Sequence, residues 1–305
     1  MNDDIHNERL DPLSDPVFSC LFADESTTVS MLEIINAVLT DAGDPPIQRI
    51  VAMNSQYDLI AENIGRKNGR LDVRAVSENG ELFDIEVQLR TMRAMNDRAW
   101  FYGSRLMSDS FREGDAYDSV PRVRVINLLD FVLRDTHPDY LQPIGVLYKK
   151  GIPEIATDAF RIYNIELPKF RAQNKTLNDV KADPLKRWLY LFEEGYKDER
   201  EMEVLTDMTE GLKAFASKYN RSLSDPKLRR LYELDLSARR DERAVIQTAE
   251  NEGRQKGRAE GRTEERTALI RNMIADGVQI EAVYRYVNAP RAEIDAIIDG
   301  LRKGK

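Results

Sequence analysis

Leu71-Asp72-Val73-Arg74-Ala75-Val76-Ser77-Glu78-Asn79-Gly80-Glu81-Leu82-Phe83-Asp84-Ile85-Glu86-Val87-Gln88-Leu89 is the stretch on which the fold of this chain turns. Apolar and polar residues alternate over 71–76 and again over 83–89, the period of a half-buried strand. Asn79-Gly80 between them is a strong turn signal. Two registers compete. A two-residue Asn79-Gly80 loop sets Asp72 against Val87 and Leu71 against Glu86, so that polar residues face apolar ones. A three-residue loop, Glu78-Asn79-Gly80 with Gly80 left-handed, sets Asp72 against Glu86, Arg74 against Asp84 and Arg70 against Gln88. Val73 then meets Ile85 and Ala75 meets Phe83 on the other face. Both faces agree, and a slip of one residue destroys the agreement. The three-residue loop is the expectation.

The register has a chemical consequence. Directly opposed residues carry Cβ atoms about 5 Å apart, so Asp72 and Glu86 form a like-charge pair that needs compensation. A divalent cation such as Mg²⁺, held by one or two carboxylates with water and phosphate, is one compensator. Gln88 projects to the same face, where it can orient a water or a phosphate. Arg70 and Arg74 are the other compensator, and they would make the face an ordinary solvated one.

Composition narrows the remainder. The 305 residues include 45 Lys+Arg and 53 Asp+Glu, a formal charge of -8, which argues against a surface that binds nucleic acid everywhere but not against a local basic patch. Apolar content of 42% suffices for a core and excludes a wholly disordered chain. No run approaches a membrane span. The polar, acidic start lacks a secretory pattern, so a cytoplasmic location is expected. One cysteine, Cys20, excludes an internal disulfide and thiolate zinc sites, and is read as a buried small apolar residue. With only His6 and His137, histidine triads and histidine metal clusters are poor candidates, and any chemistry falls to carboxylates.

Around the hairpin, helical periodicity marks 26–40 and 95–112, and apolar runs mark strands over 47–59, 122–132, 145–148 and 160–167. After Pro184 the pattern turns helical to the end, with Trp188 and Phe192 as core. The expected organisation is an α/β domain over 1–175, a helical domain over 176–245 and a charged helical tail with a terminal helix pair over 246–305. In Glu252–Arg266, Gly253, Gly257 and Gly261 recur every four residues, as do Arg254, Arg258, Arg262 and Arg266. A solvated, frayed linker is expected there, because glycine weakens a helix by up to about 1 kcal/mol per residue. A stripe touching a partner helix or nucleic acid is the other reading.

Asp72, a thirteen-residue gap and then Glu86-Val87-Gln88 resembles the active-site pattern of the PD-(D/E)XK nuclease superfamily. The match is closer to one branch, the Rpn family of recombination-promoting nucleases, often labelled transposases. The resemblance runs through Asp15-Pro16-Val17-Phe18, Leu21-Phe22, Gly69-Arg70-Leu71-Asp72-Val73 and Ile85-Glu86-Val87-Gln88. It continues with Arg98, Tyr102, Gly114, Tyr117, Ile165-Glu166-Leu167-Pro168-Lys169-Phe170 and the Glu-Gly-Arg tail. No single piece is specific, but their order and spacing are.

The resemblance implies a restriction-endonuclease-like α/β core with a helical C-terminal region. It also implies hydrolysis of DNA phosphodiesters with Mg²⁺ or Mn²⁺. Asp72 and Glu86 would be the metal ligands, and Asp72, Glu86 and Gln88 the catalytic set. The superfamily places Lys where this chain has Gln88, whereas the Rpn-like branch itself carries Gln. An additional acid from the N-terminal region would be Asp15 or Glu33. Asp15 has an equal reading as the N-cap of a helix starting at Pro16. Arg70, Arg74, Arg98 and Tyr102 are candidate DNA contacts, within a rim that also includes Arg66, Lys67, Arg90, Arg93 and Arg105. DNA is the expected partner, with a homo-oligomer through the C-terminal helices as a further expectation. The rival readings are a DNA- or partner-binding protein that keeps the nuclease fold without turnover, and an assembly module driven by the tail.

Overall fold

The computed structural model describes residues 9–22, 25–55, 73–148 and 155–303. The chain divides into two compact units, 1–236 and 237–305. The first is built on a six-stranded mixed sheet, of order β1-β2-β3-β4-β6-β5. The strands are β1 (Ile50–Ser55), β2 (Val73–Ser77), β3 (Leu82–Gln88), β4 (Val123–Leu129), β5 (Leu141–Leu147) and β6 (Ile155–Glu166).

The hairpin adopts the three-residue loop. Arg74 pairs with Asp84, Val73 with Ile85, and Ala75 with Phe83. The Ser77 N–H donates to the Glu81 carbonyl, and Gly80 sits at φ +75°, where a residue with a Cβ is strained. Residues 70 and 72, the other half of the expected pairing, lie outside the described residues. From β3 the chain crosses through helix α3 (Met95–Asp109) to β4, which runs parallel to β3, and β6 runs parallel to β4. β5 closes the sheet antiparallel to β6.

β1 starts three residues later than the run 47–59 suggests, at Ile50; residues 56–59 lie outside the described residues. At its start, side chains replace the ladder. The Asn36 carboxamide both donates to the Ile47 carbonyl and accepts from the Ile47 N–H, and Glu78 accepts from the N–H groups of Gln48 and Arg49.

One sheet face buries Val73, Ala75, Phe83, Ile85 and Val87 in the main core. Helices α1 (Asp15–Leu21) and α2 (Thr28–Asp41) contribute Phe18, Met31, Ile35 and Val38. Four short helices follow β6: α4 (Leu167–Arg171), α5 (Leu177–Val180), α6 (Pro184–Tyr190) and α7 (Glu199–Thr206). α8 (Glu210–Ser222) follows, and the helices of 184–231 share this core. Trp188 and Phe192 are buried in it, in aromatic contact with Phe215. Cys20 is buried, as expected.

The opposite face is covered by α3. Ala99 packs with Val123, Val125, Phe160 and Ile162. Gly103 allows the close approach, because a Cβ there would lie 2.4 Å from Cε2 of Phe160 and 3.0 Å from Cγ2 of Val125. Gly103→Ala is therefore expected to push α3 off the sheet and cost about 1–3 kcal/mol, read as a lowered thermal midpoint. An unchanged midpoint would show that the helix–sheet seam yields without cost.

The second unit holds the rest of helix α9 (Pro226–Ala275), with α10 (Ile280–Tyr286) and α11 (Arg291–Lys303). Ile270, Val283, Val287, Ile294 and Ile298 form its core, which matches the short packed helices expected there. Glu252–Arg266 differs from the expectation of a frayed linker. It is continuous helix, nearly all exposed. The glycine penalty is spread among Arg, Glu, Gln, Lys and Ala, all good helix formers, and α9 is anchored downstream by packing. Arg266 also ion-pairs with Glu293 at 2.8 Å. Among the described residues no helix is long and apolar enough to cross a membrane.

Candidate active site

The alternation along β3 splits its residues between two environments. Phe83, Ile85 and Val87 enter the main core, so Asp84, Glu86 and Gln88 face the α3 side. Glu86 is 3% exposed, and a buried carboxylate of this kind needs a partner. That partner comes from α3: Nη2 of Arg98 donates to Oε1 of Glu86 at 3.1 Å. The same guanidinium lies 5.7 Å from the centre of the Tyr102 ring, one turn along the helix. Its Nε is buried with no hydrogen-bond partner among the described residues. Gln88, at the half-buried end of the strand, donates from Nε2 to the Arg90 carbonyl.

The parallel strands continue this row across the sheet. Glu86 is opposite Asn127 on β4, Asn127 is opposite Asn164 on β6, and Asn164 is opposite Gln142 on β5. Asn127 and Asn164 are fully buried. Nδ2 of Asn127 donates to Oδ1 of Asn164 at 2.8 Å, and Nδ2 of Asn164 donates to Oδ1 of Asn96 on α3 at 2.7 Å. At the end of β6, the fully buried Glu166 accepts from Nε2 of Gln142 and ion-pairs with Lys169. The Glu-Leu-Pro-Lys stretch is thereby a buried ion pair closing a strand into a helical turn.

The sequence candidates land in different places. Asp72 and Arg70 fall outside the described residues. Glu86 and Gln88 share the β3 face. Arg98 and Tyr102 lie beside them, with one nitrogen of Arg98 engaged by Glu86. Arg74 pairs with Asp84 at 3.6 Å, not with Glu86, and keeps an exposed side chain. Arg105 is highly exposed and pairs with Asp109. Asp15 is the first residue of α1, with Ser14 in the N-cap position, so the cap expected of Asp15 falls one residue earlier.

Glu33 is held elsewhere. It accepts from Oγ1 of Thr209 at 2.6 Å and from the Gly211 N–H at 2.8 Å, which makes it a clamp on the N-terminus of α8. It sits on α2, against the opposite face of the sheet from Glu86. The reading of the sequence missed Asn127 and Asn164. Their signal was a single carboxamide inside an apolar run, Ile126-Asn127-Leu128 and Tyr163-Asn164-Ile165.

Chemically, the site offers hard oxygen donors at Glu86 and at neighbouring carboxamides, and a guanidinium that matches anionic groups. Oxygen donors of this type suit a hard divalent cation. Among the described residues no cluster of three His, Cys, Asp or Glu side chains is placed to hold a metal. No curated protein and no solved structure matches the chain. The family model described as PD-(D/E)XK nuclease family transposase matches residues 12–249.

Proposed function

Because this chain belongs to the PD-(D/E)XK nuclease family of transposases, we propose that it is an endonuclease that hydrolyses DNA phosphodiesters with Mg²⁺ or Mn²⁺, in the manner of the Rpn-like branch. The observation that carries the proposal is Glu86: a buried carboxylate on a sheet strand, followed two residues later by Gln88 and ion-paired to a helix-borne arginine. Asp72, which the alternation of the two runs sets opposite Glu86, would be its counterpart, and the two would hold the cation. When bound, the cation polarises the phosphate and lowers the pKa of water. Gln88 orients a water or a phosphate oxygen by hydrogen bonding. It brings no charge, and Arg98 supplies the positive charge that the superfamily's Lys would bring. Arg70, Arg74 and Tyr102 complete the DNA contacts. Promotion of recombination, and self-association through the C-terminal helices, belong to the same reading.

The absence of Lys at position 88 favours one rival, a DNA-binding protein without turnover. Supercoiled plasmid separates them. Nicking that requires Mg²⁺ or Mn²⁺, stops with chelator and is lost in a folded Asp72→Ala variant supports the nuclease. Retarded but uncut DNA under every divalent ion, with binding indifferent to Asp72→Ala, establishes the rival.

A further inference from the structure

Asn127 stands on a strand whose residues are all buried, between Val125 and Leu129 on the same face. Apolar side chains fill those two positions, so packing alone does not call for a carboxamide between them. The hydrogen bonds have a direction: Asn127 donates to Asn164, which donates to Asn96. The relay therefore fixes the Asn127 amide with its nitrogen turned to Asn164 and its oxygen turned away from it. Oδ1 of Asn127 is buried and has no hydrogen-bond partner among the described residues. An orphaned buried acceptor costs about 1–3 kcal/mol, which is tolerable where a donor arrives with a ligand.

Its paired neighbour on β3 is Glu86, on a strand about 4.8 Å away. Two acceptors thus lie side by side. Arg98 satisfies one oxygen of Glu86 and leaves its own Nε, a buried donor, without a partner among the described residues. An open acceptor and an open donor on residues flanking one carboxylate are what a bound water requires.

We propose that Asn127 is a positioning residue of the cation site at Glu86, its Oδ1 accepting a hydrogen bond from a water held there. The inference rests on the nuclease reading. Asn164 and Asn96 hold the amide in the orientation that presents oxygen, and so tie that water to the first turn of α3, two residues before Arg98. Outer partners of this kind change metal affinity or activity by about 10–100-fold when removed.

The test is calorimetric titration of the full chain with Mn²⁺, alongside plasmid nicking, for wild type, Asn127→Leu and Asn127→Asp. Asn127→Leu is expected to weaken Mn²⁺ binding by about 10–100-fold and to lower kcat with KM for plasmid unchanged. Asn127→Asp keeps an oxygen at that position and is expected to bind Mn²⁺ at least as tightly as wild type. A folded Asn127→Leu variant that binds Mn²⁺ like wild type overturns this inference alone and leaves the nuclease standing. If Asn127→Leu does not fold, Asn127→Asp decides, since weakened Mn²⁺ binding by a variant that keeps the oxygen overturns the inference. A wild-type chain that binds no Mn²⁺ overturns both readings.

Discussion

Glu86→Gln is expected to abolish metal-dependent plasmid nicking while leaving the protein folded. The substitution keeps the shape of the side chain and an acceptor oxygen for Arg98, so the helix–sheet contact at 3.1 Å survives. What it removes is the charge that would hold the cation. Loss of that Lewis acid is worth several kcal/mol in the transition state, which at about 1.4 kcal/mol per decade is roughly 10³-fold in rate. The measurement is the initial nicking rate in Mg²⁺ and in Mn²⁺, with the thermal midpoint recorded in parallel. Undiminished nicking by Glu86→Gln would mean that the cut is made elsewhere or by a contaminant.

Arg98→Met should have the second largest effect, and it should appear first as stability. The methionine keeps an apolar stem of similar length beside Tyr102 but leaves the 3%-exposed Glu86 without its guanidinium. Removing one partner of a buried pair costs about 3–5 kcal/mol, and Arg98 is partly exposed, so about 2–4 kcal/mol is expected. Two further measurements give this meaning. The double variant Glu86→Gln/Arg98→Met should be more stable than Arg98→Met alone, because the buried charge that Arg98 faced is gone. Saturating Mn²⁺ should recover part of the loss in Arg98→Met, since a cation that binds only the folded state adds about 2.7 kcal/mol at 100 times its Kd. An Arg98→Met midpoint equal to wild type, and insensitive to Mn²⁺, would show that the ion pair does not govern the site. Either way nicking is expected to fall, because the charge that Gln88 lacks is removed with Arg98.

The same residues show what each level of description reached. The β2–β3 register was legible because it is a local matter. Alternation over two short runs and a Gly80 able to take a positive φ leave one pairing in which both faces agree. The ordering of helix, hairpin, α3 and β4 followed from periodicity and from the family-like spacing. The tail departs from the expectation for an energetic reason. The glycines recur every four residues, but helix formers between them and a packed end sustain the helix. Glu33 was a fair candidate by position in its helix, yet its carboxylate is committed to Thr209 and Gly211, which are 176 and 178 residues away.

The sequence by itself determined the hairpin, its loop, and the placing of Asp84, Glu86 and Gln88 on one face, since a strand's period of two and a turn's backbone demands act over a few residues. Only the tertiary structure decided what surrounds Glu86. Arg98 reaches it because Gly103 lets α3 settle on Phe160. Asn127 and Asn164 join its row because β3, β4 and β6 run parallel, and each register is set by whole-strand packing. No local rule links residues 86, 127 and 164; burial of the two sheet faces brings them into line.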